Sequence, residues 1–251
     1  MKKALVIIGI VVGLAAVVYV NYAFFTGKLM GLSEDVEKAL ESSETVGVEL
    51  LEGDTWIVFT PKSETPATGL ILYPEGRMEF KNYAPVSQKI ADEGFQVVVL
   101  SRRLDREYDE EKEQARIHEV KTAYPEIKNW VVGAHTWGGI VAVNYALDYP
   151  ENIAGVVLWA VRMDESGDLS ETDLPVLYVY GTLDDENVGL VEASSPYLPD
   201  QTIWVPVEGG NRVGFGSFGP MAADVGATIS LDVQQSAAAD ATIDFLHSVG
   251  Q

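Results

Sequence analysis

The chain has 251 residues, 47% of them apolar, enough for one packed domain of about 200 residues plus a short appendage. Its formal net charge of -21 argues against nucleic acid, whose phosphates call for clustered Lys and Arg. It contains no cysteine, which excludes disulfides, thiol catalysis and Cys-ligated zinc.

Lys2 and Lys3 precede an unbroken apolar run from Ala4 to Val20, prolonged past Asn21 by Tyr22 to Phe25. About 22 helical residues rising roughly 1.5 Å each reach about 33 Å, enough to cross a hydrocarbon core. A cleaved signal peptide would show a shorter apolar core and a small-residue cleavage site. This run ends instead in Tyr22, Phe24 and Phe25, which read as an interfacial aromatic anchor. The expectation is therefore a retained single-pass anchor over residues 1–30; a cleaved signal peptide and a buried core helix are the competing readings. The leading lysines place the N-terminus in the cytoplasm and the domain outside the cell membrane. Residues 31–45 read as an acidic linker helix running from Ser33 to Glu44, with Ser33 as N-cap and Glu34 and Asp35 in the first turn.

From residue 46 to 251, β-branched apolar runs alternate with helical periodicities. Val46–Leu51 and Thr55–Thr60 form an expected antiparallel pair around Glu52-Gly53-Asp54. Strands follow at Gly69–Tyr73, Gln96–Leu100, Trp130–His135, Ile153–Val161, Leu174–Tyr180 and Ile203–Val207. Helices are expected at Tyr83–Glu93, Asp109–Thr122, Gly138–Leu147, shortly after Asn187, and from about Asp232 to Ser248. Nearly all-apolar strands alternating with helices imply an α/β domain, a mostly parallel sheet covered on both faces.

The segment Trp130-Val-Val-Gly-Ala-His-Thr-Trp-Gly-Gly139 has the strand, sharp turn and helix of a nucleophile elbow. In place of G-x-S-x-G it reads Ala134, His135, Thr136, Trp137 and Gly138. Over residues 45–250 the chain resembles the α/β-hydrolase superfamily, in particular its small bacterial exported or membrane-anchored carboxylesterase-like members. The resemblance implies an α/β-hydrolase fold without a large cap and a nucleophile, acid and base in that chain order. Asp184, in Tyr178-Val-Tyr-Gly-Thr-Leu-Asp184, inherits the role of triad carboxylate; Asp185 and Glu186 read as solvated neighbours. Val207-Glu-Gly-Gly-Asn-Arg-Val-Gly-Phe-Gly216 resembles the loop that carries the general-base histidine, and here that position is Arg212. Gly76 and Arg77, after Leu70-Ile-Leu-Tyr-Pro-Glu, and Trp137 stand where the family supplies its oxyanion donors.

Two of the three triad positions are thus replaced. A guanidinium stays protonated and cannot act as a base at neutral pH. Thr136 keeps a hydroxyl, but its β-branching is awkward in a turn that needs a positive φ. Of the three histidines, His135 reads as a packing residue with rescue of the base as the rival reading, and His118 and His247 as exposed structural residues. Arg212 reads either as an ion-pair partner of Asp184 or as an anion clamp. Arg77, Arg102, Arg103, Arg106, Arg162 and Arg212 all follow strand C-termini, where ligands bind in open parallel sheets, and only Arg116 lies elsewhere. Arg102, Arg103, Arg162 and Phe215 are the candidate ligand contacts, with Trp137 and Phe218 lining the pocket.

Three functions are compatible with these residues. One is carboxylester-hydrolase-like chemistry, impaired, on a small-molecule substrate. The others are a non-catalytic site for a small anionic ligand, and a surface protein-interaction module. No cofactor, metal or nucleic acid is expected, and the membrane is met through the N-terminal helix.

Overall fold

The computed structural model describes residues 13, 32–51, 53, 55–76, 78–101, 109–219 and 224–250. Apart from Gly13, the expected membrane anchor lies outside them, and among the described residues no helix is long and apolar enough to cross a membrane. The helices are α1 (Glu34–Ala39), α2 (Ala84–Asp92), α3 (Glu110–Ala123), α4 (Gly139–Asp148), α5 (Thr182–Val188), α6 (Leu190–Ser194) and α7 (Leu231–Val249). The strands are β1 (Val46–Leu50), β2 (Trp56–Pro61), β3 (Thr68–Tyr73), β4 (Gln96–Leu100), β5 (Asn129–His135), β6 (Gly155–Trp159), β7 (Val176–Gly181) and β8 (Ile203–Val207).

One eight-stranded sheet runs in the order β1-β2-β4-β3-β5-β6-β7-β8. β1 and β2 pair antiparallel, as do β2 and β4, and every other neighbour is parallel. Helices cover both faces of the sheet; α2 packs with α7, and α3 with α4. Every residue of β3, β4 and β6 is buried, as expected when a parallel strand is covered on both sides and reads as a continuous apolar run. β8, at one edge, is mostly exposed or half-buried.

One expectation is corrected. The linker helix stops at Ala39 rather than Glu44, although Ser33 does cap it by accepting from Val36 N–H. Beyond it, Ser42 Oγ accepts from Val48 N–H at 2.9 Å and Ser43 Oγ from Val46 N–H at 3.0 Å. Serine hydroxyls that bind nearby backbone compete with helix continuation. The short helix expected after Asn187 is α6; α5, from Thr182 to Val188, runs directly off β7 without a signal in the sequence, and Gly189 at φ 59° separates the two.

Candidate active site

β5 delivers His135 to the C-terminal edge of the sheet, and the chain turns sharply through Thr136–Gly138 into α4. Thr136 has φ 47°, a left-handed conformation that β-branched residues seldom adopt and that costs of order 1–3 kcal/mol. The following glycines impose the turn. A Cβ on Gly138 would stand 2.7 Å from the carbonyl oxygens of Tyr73 and Pro74, and one on Gly139 2.3 Å from Val161 Cγ1. Helix and sheet meet too closely for any side chain there.

The Thr136 hydroxyl oxygen is shielded from solvent and has no hydrogen-bond partner. Thr136 lines a large cavity, yet its hydroxyl oxygen is turned away from water. A buried hydroxyl without a partner costs about 1–3 kcal/mol.

Asp184 sits in the first turn of α5, its side chain 1% exposed. The turn is clasped to the Arg212 loop: Leu183 N–H donates to Gly210 O at 3.1 Å and Gly209 N–H to Thr182 Oγ1 at 3.0 Å. A Cβ on Gly181 would meet the Gly210 carbonyl carbon at 2.4 Å, so this approach also requires glycine. Arg212 then reaches Asp184 with a two-pronged fork, Nη2 to Oδ1 at 2.7 Å and Nε to Oδ2 at 3.1 Å. That hydrogen bonding to Asp184 holds the guanidinium above its ordinary pKa. The loop is further tied to α7 by Gln234, which accepts from Asn211 N–H at 3.1 Å and donates to Asn211 O at 2.7 Å.

His135 is fully buried and points away from Thr136 into a hydrogen-bond chain. Its Nε2 lies 2.8 Å from Arg212 O, and Nδ1 lies 2.6 Å from Tyr83 Oη, which accepts from Glu75 N–H at 2.8 Å. A carbonyl oxygen only accepts, so Nε2 carries the proton and Nδ1 receives the Tyr83 hydroxyl. Burial is the main reason that its pKa falls from 6.5 to about 4, which leaves the ring neutral. Both nitrogens are engaged, and neither serves Thr136. Burial likewise pushes the Tyr83 hydroxyl well above its usual range.

A cavity of about 630 Å³ opens at this edge, floored by Thr136 and walled by Met78, Val143, Val161, Met163 and Leu190 among others. That volume lies within the usual range for small-molecule sites. Trp137, Phe218, Arg162 and Arg212 line it. Phe215 does not: it is fully buried beside His135 and Trp159, a core residue behind the wall. Arg162 donates to Val188 O at 3.3 Å from the rim. Gly76 and Trp137 share a smaller neighbouring cavity of about 230 Å³. Arg77, Arg102, Arg103 and Arg106 lie outside the described residues. Arg116 stands apart, paired with Glu113 at 3.1 Å and donating to Thr55 O at 2.6 Å.

His118 is half-buried against Tyr145 and Tyr149, and His247 packs on Phe95. Asp185 accepts from Val191 N–H at 2.7 Å. Among the described residues no His, Asp and Glu cluster is arranged to hold a metal ion.

Two participants escaped the sequence reading. Asp224 lines the cavity, and burial raises its pKa; it lies in an irregular Gly-rich loop with no periodicity to single it out. Tyr83 reads as a core aromatic and is one, but its hydroxyl joins a turn after β3 to the elbow. The sequence signal for that polar role is absent, since Tyr83 and His135 are 52 positions apart.

The same architecture recurs among solved structures. A predicted CIB-like hydrolase from Thermoplasma acidophilum aligns with TM-score 0.60 at 16% identity, over 81% of this chain and 98% of its own. The esterase of Pyrobaculum calidifontis aligns with TM-score 0.61 at 13% identity, over 92% of each chain. A membrane phospholipase A described as a bacterial virulence factor aligns with TM-score 0.55 at 15% identity, over 99% of each. At these identities the likeness is one of fold. No curated protein matches the sequence significantly. The sequence profile of the alpha/beta hydrolase family matches residues 69–236, the greater part of the chain, and the chain belongs to the α/β-hydrolase family.

Proposed function

We propose that the chain is a membrane-anchored, extracytoplasmic α/β-hydrolase-family protein, carboxylester-hydrolase-like in fold and pocket, whose catalysis is impaired or absent. The observation that carries this reading is the fork between Arg212 and Asp184. The carboxylate that would orient a basic imidazole is occupied by a side chain that cannot take a proton. The Thr136 hydroxyl, unpartnered and shielded, has no base to activate it. Turnover would then rest on whatever the oxyanion donors and binding alone can supply. The cavity remains, and its mainly apolar wall suits a small organic ligand.

The anion-clamp alternative is weaker for Arg212, because its two bonded donors already face a carboxylate and Asp224 lies close by. The test is hydrolysis of p-nitrophenyl acetate and butyrate by the full chain beside its Thr136→Ala variant. Equal, background-level rates are expected. Turnover above background that disappears in Thr136→Ala would reject the reading.

A further inference from the structure

Exposed apolar side chains gather at one edge of the domain. At the cavity, Trp137 is 66% exposed and Ile140 45%. Leu50 closes β1, and Leu231 and Val233 stand in the first turn of α7. β1 runs antiparallel to β2, which runs antiparallel to β4, so β1 ends at the edge where the parallel strands end. The first turn of α7 is held at that edge by the bonds between Gln234 and Asn211. Of the exposed large apolar side chains among the described residues, only Leu147 and Ile203 belong to the opposite edge. Single exposed apolar residues are ordinary; Trp137 and Ile140 together at one cavity mouth, on an edge that carries three more, mark a contact surface.

The chain enters the domain from the same side. α1 packs on α2 and on the Phe80–Tyr83 turn that follows β3, the turn whose Tyr83 reaches His135. From there it descends along α2, Glu41 O accepting from Gln88 Nε2, to open β1 with Val46 at the far edge. The apolar run read as an anchor closes at Phe25, seven positions before Leu32. Seven fully extended steps span at most about 25 Å, so an anchored domain is held close to the bilayer by its cavity edge.

We infer that the domain rests with this edge on the bilayer, Trp137 and Ile140 entering the headgroup layer, so that the cavity opens toward lipid. The inference depends on the anchor proposed above. Aromatic and aliphatic side chains favour that depth. The partner is a zwitterionic lipid face, because a net charge of -21 is repelled by anionic headgroups.

The protein carries a convenient reporter. Its five tryptophans all lie in the domain and none in residues 1–31, and Trp56, Trp130 and Trp159 are buried. The full chain is reconstituted into phosphatidylcholine vesicles with and without brominated acyl chains, and tryptophan emission is compared. Brominated lipid should quench the emission, and most of that quenching should be lost in Trp137→Phe. Ile140→Glu, a surface change that keeps every tryptophan, should reduce it as well. Flotation of the vesicles reads the anchor separately. A chain that floats but is not quenched, or whose quenching survives both substitutions, overturns the orientation and leaves the anchor standing. A chain that does not float overturns both.

Discussion

Replacing Arg212 with leucine should destabilise the domain more than replacing Asp184, and replacing both should restore much of the loss. Asp184 is 1% exposed and its carboxylate receives both prongs of the Arg212 fork, whereas the Arg212 side chain is 40% exposed. Removing one partner of a buried pair costs about 3–5 kcal/mol because the other charge is stranded. Water beside the half-open arginine screens this pair, so about 2 kcal/mol is the appropriate figure for Arg212→Leu. In Asp184→Leu the freed guanidinium can turn to solvent, and the cost falls to about 1 kcal/mol. The double variant strands no charge and should lie within about 1 kcal/mol of the parent. For a domain of this size 1 kcal/mol moves Tm by about 2–4 °C, so Arg212→Leu should melt about 4–8 °C lower. Thermal unfolding of the four proteins, followed by near-ultraviolet circular dichroism at neutral pH, completes the cycle. Losses that simply add, with coupling below about 0.5 kcal/mol, would show that the fork contributes geometry without energy and refute the reasoning.

Three further outcomes are expected. Thr136→Ser combined with Arg212→His should raise p-nitrophenyl butyrate hydrolysis at least about 100-fold over either single substitution, since triad members act as a unit; additive gains would show that the Asp184 carboxylate does not orient the new imidazole. Thr136→Gly should stabilise the domain by about 1 kcal/mol, the relief of a positive φ and an unpartnered hydroxyl outweighing the entropy of glycine; a lower melting temperature would sink that account. His135, held down to about 4 from 6.5 mainly by burial, refuses a proton that the unfolded chain accepts, so its contribution is complete above about 6.5 and fades as pH falls toward 4, by about 3 kcal/mol in all. His135→Gln keeps an acceptor for Tyr83 and a donor for Arg212 O, and its stability should lack that acid slope; an identical pH profile would exclude His135 as the source.

The scaffold was legible because its signals are local. β4 and β8 occupy the ranges expected of them, Gln96–Leu100 and Ile203–Val207, since each is a short apolar run bounded by turn residues. The elbow was legible because Gly138 and Gly139 sit where strand and helix collide. Elsewhere local pattern misled. Thr182–Val188 is polar enough to read as loop, yet β7 launches it directly into a helix. Phe215, beside the base position in sequence, turns inward onto Trp159 instead of toward the cavity. The chain from Glu75 through Tyr83 and His135 to Arg212 joins residues as far as 77 positions apart, and only the closed fold brings them together. Sequence spacing names the triad positions; it does not reveal that the histidine beside the elbow is already spent on two buried partners.

The sharp turn at Thr136 follows from what enforces it. The positive φ of Thr136 is demanded by the approach of α4 to the Tyr73 and Pro74 carbonyls and to Val161, contacts that involve Gly138 and Gly139 and not residue 136 itself. The acid and base loops are likewise clasped through Gly181, Gly210 and Gln234, none of which handles a proton. Chemistry and scaffold therefore rest on separate residues, and the first can be exchanged while the second stays intact. Arg212 then does for Asp184 what an imidazole would otherwise do: it satisfies a carboxylate that the glycine-clasped loops keep buried.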